Sequence, residues 1–469
     1  MTWMGRTRRI HFVGIGGIGM SGIAELLKNL NYEVRGSDAK RSEITDRLAG
    51  LGIGVTIGHH ASNVGAADVV VVSSAVPETN PEVVAARATR VPVIPRAEML
   101  AELMRLRIGI AVAGSHGKTT TTSMVALMLE LAGLDPTAVI GGRLSVMGSN
   151  AWLGRGAYMV AEADESDRSF LKLSPAIAVV TNIDREHMDT YGSFTRLVDA
   201  FVDFADKVPF YGAVVACVDD AHVRAMVPRL TRRTITYGFD ARANVRGHAP
   251  EIDGRTGRCE VHFDLGGVPG GQGQAALHLN VPGRHNLQNA LAAVAVGLEV
   301  GVPIDRIMSA LAEFRGADRR YQTRGTVRGV TVVDDYGHHP TEIAAVLAAA
   351  RAGGPTRIVA VFQPHRYSRT RDLMEEFGRA FSAADVVVLT DIYPAGEAAI
   401  PDITLDALAA RVAATRQSDL HVVRRLEDVA AAVAALAEPG DLVITFGAGS
   451  IGAVADRILA ALAAQETPS

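Results

Sequence analysis

The stretch Gly114–Thr122 reads GSHGKTTTT and follows the apolar run IGIAVA. An apolar run, a glycine loop and a helix start in this order are typical of the phosphate-binding turn of a parallel α/β sheet. The usual P-loop places about four residues between its first glycine and the Gly-Lys-Ser/Thr ending. Here only Ser115 and His116 separate Gly114 from Gly117. The pattern therefore predicts a phosphate-binding loop in a shortened form.

Two side chains at this helix start suit a nucleoside triphosphate. Lys118 could neutralise the terminal phosphates, and the hydroxyl of Thr119 could ligate Mg²⁺. In the alternative interpretation the segment is a polar helix start that one of its threonines caps. That alternative leaves the Gly-Lys pair without an explanation.

The composition indicates a chain of several domains without a dominant charged surface. At 469 residues the chain exceeds one ordinary core, and about 150 residues per domain suggests about three domains. The net charge of −4 argues against nucleic acid as a partner. Cys217 and Cys259 lack the spacing of a disulfide framework or a zinc site, which fits a cytoplasmic protein. No apolar run reaches the about 18 residues of a membrane span, so we expect no membrane partner.

Short apolar, β-branched runs alternate with helical patterns along the chain, which predicts parallel sheets covered on both faces. The helical stretch VIPRAEMLAELMRLR closes a first part, and the turn-like RGADRRYQTRG precedes a last one. Between them, a glycine-rich segment around 266–273 alternates as antiparallel strands do. We therefore predict an α/β protein of three domains. They are a Rossmann-like N-terminal domain (1–107), a central P-loop-type ATPase sheet with a small antiparallel excursion (108–322) and a Rossmann-like C-terminal domain (323–469).

A second glycine loop lies near the N-terminus. Gly14, Gly16 and Gly19 in GIGGIGMSG satisfy G-x-G-x-x-G between a strand and a helix, and Asp38 follows where a dinucleotide fold keeps its ribose-binding acid. Read alone, the pattern favours NAD. However, the glycines let backbone N–H groups approach any nucleotide diphosphate at a helix N-terminus, so the pattern leaves the ligand open. A tight turn that binds nothing is the other alternative.

Acidic and imidazole side chains follow two later strands. The segment VAEADESDRSF carries Glu162, Asp164, Glu165 and Asp167, and TNIDREHMDTYG carries His187. An acidic cluster is usually a solvated loop, and a lone histidine is more often structural than functional. Because the carboxyl ends of parallel strands form the ligand crevice of such a sheet, these loops could nevertheless converge on Mg²⁺.

Eight motifs together resemble the Mur ligases over about residues 10–452. They are GIGGIGMSGIAELL, AGSHGKTTTT, AEADESDRSFL, TNIDREHMDTYG, PGRHNLQNALAA, DDYGHHPTEI, FQPHRYSRTRDL and YPAGE. The short G-x-x-G-K-T loop is that family's own form, so the resemblance implies that it binds ATP. Within the family, the motifs are most similar to the branch that joins L-alanine to UDP-N-acetylmuramate.

The resemblance implies a role for each matching position. The nucleotide-sugar would be held by Gly16, Gly17 and Gly19, with Asp38, Ser73, Ser74 and His339 as further substrate-binding residues. ATP would lie against Gly114, Ser115, His116, Gly117, Lys118, Thr119 and Thr120, with Asn286 and Asn289 on the adenine side and Arg320 on the phosphates. Thr119 and Glu162 would bind a first Mg²⁺, and His187 a second. Tyr336, His338, His339, Arg366 and Arg369 would close over ATP and the amino acid. Lys118, His187, Arg320, His338, Arg366 and Arg369 are the predicted catalytic residues.

The implied reaction is amide formation through an acyl phosphate, with ATP, UDP-N-acetylmuramate and L-alanine as small-molecule partners and Mg²⁺ as cofactor. One departure concerns DREHMD, which stands where EADHMD is commoner but keeps His187 in place. A second is the stretch FTRLVDAFVDF, which lacks the lysine that some sister ligases carbamylate.

Three other functions compete with this interpretation. A sister ligase that attaches a recycled tripeptide to the same sugar nucleotide shares most of the motifs. An NAD-dependent oxidoreductase accounts for Gly14 to Asp38 but leaves Lys118, Glu162 and His187 without a role. A nucleotide sensor without activity accounts for both loops, although candidates stand at every metal and phosphate position.

Overall fold

The structure, a computed structural model, describes residues 4–73, 75–140, 151–415 and 419–465. The described chain forms two compact units. The first comprises Met1–His248, Val261–Ala275 and Gln288–Leu311, and the second comprises Ala249–Glu260, Ala276–Leu287 and Ala312–Ser469. In the part of the chain that the structure describes, no helix is long and apolar enough to cross a membrane.

The first sheet is five-stranded and parallel in the order β3-β2-β1-β4-β5. Because the order reverses beside β1, the carboxyl end of β1 lies at a topological switch point, where such sheets bind ligands. Its strands are β1 (Arg9–Val13), β2 (Glu33–Asp38), β3 (Gly54–Ile57), β4 (Val69–Val72) and β5 (Val93–Pro95), and its helices are α1 (Ile18–Asn29), α2 (Glu43–Gly50), α3 (Pro81–Ala88) and α4 (Arg96–Met104).

The second sheet has the order β15-β14-β13-β12-β11-β10-β6-β9-β7-β8, and β6 pairs in parallel with β9 and β10. Short turns join β13, β14 and β15, which requires antiparallel pairing, as the sequence predicts. The strands are β6 (Ile108–Ala113), β7 (Thr137–Val139), β8 (Ala151–Trp152), β9 (Tyr158–Glu162), β10 (Ile177–Val180), β11 (Ala213–Cys217), β12 (Thr234–Gly238), β13 (Val245–Ile252), β14 (Gly257–Asp264) and β15 (Gln272–Leu279). The helices are α5 (Lys118–Leu131), α6 (Met188–Tyr191), α7 (Phe194–Ala205), α8 (Ala221–Met226), α9 (Arg284–Glu299) and α10 (Ile304–Ala312).

The third sheet has six strands in the order β16-β17-β21-β18-β19-β20, with only the β16–β17 pair antiparallel among the described pairings. Its strands are β16 (Gln322–Val327), β17 (Val330–Asp335), β18 (Arg357–Phe362), β19 (Val386–Leu389), β20 (Asp419–Val422) and β21 (Asp441–Phe446). Its helices are α11 (Pro340–Ala352), α12 (Tyr367–Asp372), α13 (Met374–Ala380), α14 (Leu405–Ala414), α15 (Leu426–Leu436) and α16 (Val454–Ala464).

Helix α7 illustrates how the sequence pattern becomes packing. Its N-terminus is capped by Ser193, whose side chain accepts a hydrogen bond from the Arg196 N–H. Leu197, Phe201 and Phe204 recur at helical spacing and are fully buried, so the helix packs its apolar stripe on the sheet. Burying each of these side chains contributes about 1.5–3 kcal/mol.

The α/β fold class and the alternation of strands and helices are confirmed. The apolar run IGIAVA before the shortened loop, for example, forms β6 of the second sheet. The predicted domain boundaries near Arg107 and Gln322 stay a prediction.

Candidate active site

The first glycine loop follows β1 at the switch point. The N–H groups of Gly14 and Ile15 donate to the carbonyl of Ser37 at 2.9 and 3.0 Å. The Gly16 N–H donates to Asp38 Oδ2 at 2.8 Å. The predicted ribose-binding acid therefore contacts the loop backbone itself, so in this structure Asp38 braces the loop.

Other predicted nucleotide-sugar residues surround this loop. Gly17 precedes the first turn of α1. Ser73 lies beside Gly14, because a Cβ atom added to Gly14 would lie 3.3 Å from Ser73 Cβ. Arg96 lies beside Gly19, because a Cβ atom added to Gly19 would lie 2.7 Å from Arg96 Nη1. The Arg96 guanidinium also lies 3.7 Å from Asp164. Ser74 lies outside the described residues.

The second glycine loop connects β6 to α5 and has two glycines that no other residue could replace without strain. Gly114 has φ +140°, and an added Cβ would lie 1.9 Å from Thr181 Oγ1. Gly117 has φ +83°, and its Cβ would lie 2.7 Å from Asn289 Oδ1. The structure thus brings Asn289 against the loop, whereas Asn286 lies in the second unit and donates to the Pro282 carbonyl at 2.6 Å.

We expect Gly114→Ala to lower the free energy of unfolding by about 2–3 kcal/mol, because the methyl group overlaps Thr181 at a positive φ. Gly133→Ala is the matched control. Gly133 follows the same helix with φ +80° but has nothing within 4 Å of an added Cβ, so it should cost only about 1 kcal/mol. Urea unfolding measures both values, and equal losses would contradict the steric argument.

The loop is held from the side of β10. The His116 N–H donates to Asn182 Oδ1 at 2.9 Å, and Thr181 Oγ1 donates to the His116 carbonyl at 2.6 Å. Ser115 Oγ accepts from the Asp184 N–H at 2.8 Å, and His116 Nε2 lies 3.0 Å from Asp184 Oδ2. These bonds fix the loop before any ligand is bound, which favours a preorganised phosphate site.

Lys118 and Glu165 form a buried ion pair at the centre of this site. Lys118 Nζ lies 2.9 Å from both carboxylate oxygens and donates to the Gly114 carbonyl at 2.5 Å. Burial alone would lower the pKa of Lys118, but Glu165 and Asp164 outweigh it and raise that pKa above its ordinary value. Burial raises the pKa of Glu165 to about 7, against the attraction of Lys118. The lysine therefore keeps its positive charge at neutral pH.

Glu165, Glu186 and His187 could together hold a metal ion, because one ligand atom of each lies within 4.8 Å of the others. His187 Nε2 lies 3.8 Å from Glu165 Oε1 and from Glu186 Oε2. The hydroxyl of Tyr191 donates to the Glu165 carbonyl at 2.6 Å, which fixes the backbone there. Two buried carboxylates and an imidazole fit a divalent cation such as Mg²⁺ or Mn²⁺.

Three further predicted residues belong to the helix and the strand that adjoin the loop. Thr119 and Thr120 lie in the first turn of α5. Glu162 ends β9, the strand that pairs with β6, and is half-buried. Their predicted roles in binding ATP and a first metal ion stay predictions.

In the second unit, Arg320 lies beside Tyr336 and Glu342. The Arg320 guanidinium is 5.2 Å from the centre of the Tyr336 ring, and its Nη1 lies 3.5 Å from Glu342 Oε1. Glu342 also accepts the N–H groups of His338 and His339 at 3.0 and 3.3 Å. This glutamate therefore orders the loop between β17 and α11, where His339 caps the helix.

The two predicted arginines lie at the start of α12. Arg369 Nη1 is 3.1 Å from His365 Nδ1, and Arg366 Nη1 is 3.8 Å from Glu397 Oε1 in the YPAGE motif. The ring of His365 lies 5.8 Å from that of His338 and stacks on Tyr393 at 5.5 Å. The structure thus gathers His338, Arg366 and Arg369 around His365, which the sequence analysis does not single out.

We expect His365 to make the protein sensitive to mild acid. Burial, with the nearby His338, Arg369 and Arg366, lowers the pKa of His365 to about 3. Below the ordinary histidine pKa of about 6.5, the unfolded chain binds a proton that the folded chain does not, so stability falls as the pH falls. Between pH 7.5 and 5.5, wild type should lose about 1 kcal/mol more unfolding free energy than His365→Asn.

Urea titrations followed by circular dichroism at the two pH values measure this difference. His60→Asn removes an exposed histidine and should follow the wild-type loss. If His365→Asn loses as much stability as wild type, the assignment of the acid sensitivity to His365 is wrong.

The sequence pattern did not identify Glu165 as the carboxylate that pairs with Lys118, or Glu186 as a second carboxylate near His187. The acidic segment 162–167 indicates that a carboxylate is present, but four candidates within six positions cannot be told apart from spacing. Glu186 precedes His187 in the motif that departs from the commoner form. The available signal was the acid directly beside the predicted metal ligand, because the commoner form EADHMD also carries an acid, an aspartate, at that place.

Family models for three successive parts of a Mur ligase match the chain. They are "Mur ligase family, catalytic domain" at residues 9–107, "Mur ligase middle domain" at 112–297 and "Mur ligase, glutamate ligase domain" at 319–449. The chain therefore belongs to the Mur ligase family.

Individual relatives match over almost the whole chain. The UDP-N-acetylmuramate–L-alanine ligase of Geotalea daltonii is 53% identical over 447 residues, covering 95% of this chain and 96% of the relative. The ligase of the same name from Burkholderia cenocepacia is 54% identical over 459 residues, covering 96% and 97%. The crystal structure of the UDP-N-acetylmuramate–alanine ligase from Thermotoga maritima superposes with a TM-score of 0.82 at 30% identity, covering 97% and 99%.

Proposed function

We propose that this protein is an ATP-dependent ligase that joins L-alanine to the lactyl carboxylate of UDP-N-acetylmuramate. The observation that carries the proposal is the buried Lys118–Glu165 pair beside His187, at the end of a shortened phosphate loop. The acceptor is supported by relatives of 53% and 54% identity, which carry the name of an L-alanine ligase. The reaction belongs to peptidoglycan precursor synthesis, for which we propose the cytoplasm as the location.

The chemistry follows from the poor leaving group of a carboxylic acid. A lactyl carboxylate oxygen attacks the γ-phosphorus of ATP, and the bond to the β–γ bridging oxygen breaks as ADP leaves. The neutral amine of L-alanine then attacks the acyl carbon of the acyl phosphate. The nitrogen loses a proton, the carbon–oxygen bond to phosphate breaks, and amide and inorganic phosphate result.

Lys118 supplies a fixed positive charge for the phosphoryl group in the first step. Its Nζ is held by Glu165 and the Gly114 carbonyl, so the charge is positioned before the transition state forms. Glu165, Glu186 and His187 would hold one Mg²⁺, and Thr119 and Glu162 would hold the other one that the resemblance implies. When bound, Mg²⁺ neutralises charge on the phosphate oxygens.

In this proposal, UDP-N-acetylmuramate and L-alanine bind to chemically different groups of residues. The backbone N–H groups after β1, at the N-terminus of α1, suit the diphosphate of the nucleotide-sugar. Arg366 and Arg369 suit the carboxylate of L-alanine, because a guanidinium binds a carboxylate through two parallel hydrogen bonds. Arg320 would serve the ATP phosphates, and Tyr336 and His338 the groups around them.

The test is phosphate release by the purified protein with ATP, Mg²⁺ and UDP-N-acetylmuramate. Separate reactions contain L-alanine, glycine, L-serine or the tripeptide L-alanyl-γ-D-glutamyl-meso-diaminopimelate, and a control omits the sugar nucleotide. Release that requires both L-alanine and the sugar nucleotide supports the proposal. Release with the tripeptide alone would assign the chain to tripeptide recycling, and tight NADH binding without any release would favour an oxidoreductase.

A further inference from the structure

A buried carboxylate lies behind the first glycine loop and has no role in the reaction described above. Glu82 is the second residue of α3, and none of its surface is exposed to solvent. Its carboxylate faces side chains from three other segments of the first unit. They are His11 in β1, Ser37 in β2, and His59 and Asn63 after β3.

Both carboxylate oxygens of Glu82 are hydrogen-bonded. Oε2 lies 2.5 Å from His11 Nε2 and accepts from Ser37 Oγ at 2.8 Å. Oε1 lies 2.9 Å from His59 Nδ1 and accepts from Asn63 Nδ2 at 3.2 Å. Burial alone would raise the pKa of Glu82, but the bonds from His11, His59, Ser37 and Asn63 lower it to about 2. The group is therefore an anion at neutral pH.

Burying an ionised carboxylate in a protein core is energetically unfavourable. Transfer of a charge out of water costs several kcal/mol even after relaxation, and a well-packed apolar residue would often stabilise the fold as much. The buried Glu82 carboxylate is therefore better explained by a need to hold its partner side chains in fixed positions. Of these partners, His11 is almost completely buried, and its Nδ1 has no hydrogen-bond partner among the described residues, so the cluster carries a further polar cost.

The segments that Glu82 joins are the ones that shape the first glycine loop. The carbonyl of Ser37 accepts the N–H groups of Gly14 and Ile15 at 2.9 and 3.0 Å. The next residue, Asp38, accepts the N–H of Gly16 at 2.8 Å, and its carbonyl accepts the N–H of Gly58 at 2.8 Å. Asn63 in turn donates to the Gly58 carbonyl at 3.2 Å.

Glu82 is therefore connected to the loop by two routes. One runs from its Oε2 through Ser37 to the loop backbone. The other runs from its Oε1 through Asn63 and Gly58 to Asp38. Because the two oxygens of one carboxylate hold both routes, a shift of Glu82 would move the loop backbone that leads into α1, and with it the first turn of α1 that would meet the diphosphate.

We infer that Glu82 is a positioning residue for the nucleotide-sugar loop: it fixes Ser37 and the segment 58–63 so that the loop backbone is preorganised for a nucleotide diphosphate. The inference rests on the proposed function, because it takes the nucleotide-sugar as the ligand of this loop. Glu82 itself does not touch the substrate. Its effect should therefore fall on binding of one substrate and leave the other two unchanged.

The variant Glu82→Gln keeps the shape of the side chain and removes its charge. We expect the KM for UDP-N-acetylmuramate to rise about tenfold, as when a hydrogen bond to a charged group is weakened. The kcat and the KM values for ATP and L-alanine should stay within about twofold. Glu78→Gln is the matched control, since Glu78 lies four residues away and its side chain is 74% exposed.

Calorimetric titration of UDP-N-acetylmuramate, without ATP or L-alanine, measures the same effect without turnover. The Kd should rise about tenfold in Glu82→Gln, while the Kd for ADP with Mg²⁺ stays unchanged. His59→Asn, at a partly exposed position, is the variant to use if Glu82→Gln fails to fold. It should raise the Kd for UDP-N-acetylmuramate about threefold.

The outcomes separate the two proposals. A wild type that binds the sugar nucleotide but releases no phosphate would refute the ligase function and still allow the binding test of Glu82. A lowered melting temperature in Glu82→Gln, with unchanged KM and Kd for the sugar nucleotide, would show a purely structural role and overturn the inference. So would an equal rise in the KM values for all three substrates.

Discussion

Lys118→Met should lose at least about a thousandfold in kcat, because the substitution removes the buried ammonium beside the predicted phosphate site while keeping the length of the side chain. The pKa of Lys118 is raised by Glu165 and Asp164, so wild type carries this charge over the whole working pH range. No pH adjustment should therefore restore the activity of the variant.

Glu165 would lose its counter-charge in Lys118→Met but is able to take up a proton. Burial already raises its pKa to about 7, so the cost of the unpaired carboxylate is limited and the variant should fold. Phosphate release under saturating substrates measures kcat, and circular dichroism checks the fold. Lys172→Met is the control, because Lys172 pairs with Glu98 at 3.3 Å on the surface and should keep its kcat within about twofold.

A Lys118→Met protein with more than about a tenth of the wild-type kcat would contradict the role given to this lysine. The phosphate loop would then act through its backbone alone.

Glu165→Gln should lower kcat about a hundredfold and raise the Mg²⁺ concentration needed for half-maximal rate. The substitution keeps the size of the side chain, but it removes the negative charge next to Glu186 and His187. It also leaves Lys118 without its nearest carboxylate, which lowers the pKa of that lysine. Both effects weaken phosphoryl transfer, so the loss in kcat should be large.

Binding of Mn²⁺, followed by electron paramagnetic resonance, tests the metal role without turnover. We expect weaker Mn²⁺ binding in Glu165→Gln and an unchanged signal in Glu102→Gln, whose side chain is 42% exposed and pairs with Arg105. Glu162→Gln completes the set. If Glu162→Gln loses activity and Mn²⁺ binding while Glu165→Gln keeps both, the metal ligand is the residue that the resemblance implies.

Much of the architecture could be predicted because it depends on local patterns. Buried parallel strands appear as short β-branched runs, such as Ile177–Val180, which is fully buried. The two glycine loops are also recognisable, since each stands between an apolar run and a helical pattern, with Gly14 in the first and Gly114 and Gly117 in the second at positive φ. The site could be predicted as far as its loops and residue types.

The partner of each functional side chain could not be predicted in the same way. Glu162 and Glu165 lie three positions apart in one acidic segment, and spacing cannot decide which of them meets Lys118. The answer depends on how the chain turns after β9, where the Ser166 N–H bonds to Asp164 Oδ1 and the Tyr191 hydroxyl to the Glu165 carbonyl. The second of these bonds joins residues 26 positions apart.

The sequence by itself determined the α/β class, the family and the two glycine loops, because apolar periodicity and the order of strand, glycine loop and helix are set over a few neighbouring residues. The tertiary structure decided that Lys118 pairs with Glu165, that His365 gathers the C-terminal arginines and that Glu82 meets His11 from 71 positions away. Such contacts arise when packed sheets and helices bring distant side chains together. Which side chains meet depends on the packing of the whole unit, and a single sequence motif does not contain that information.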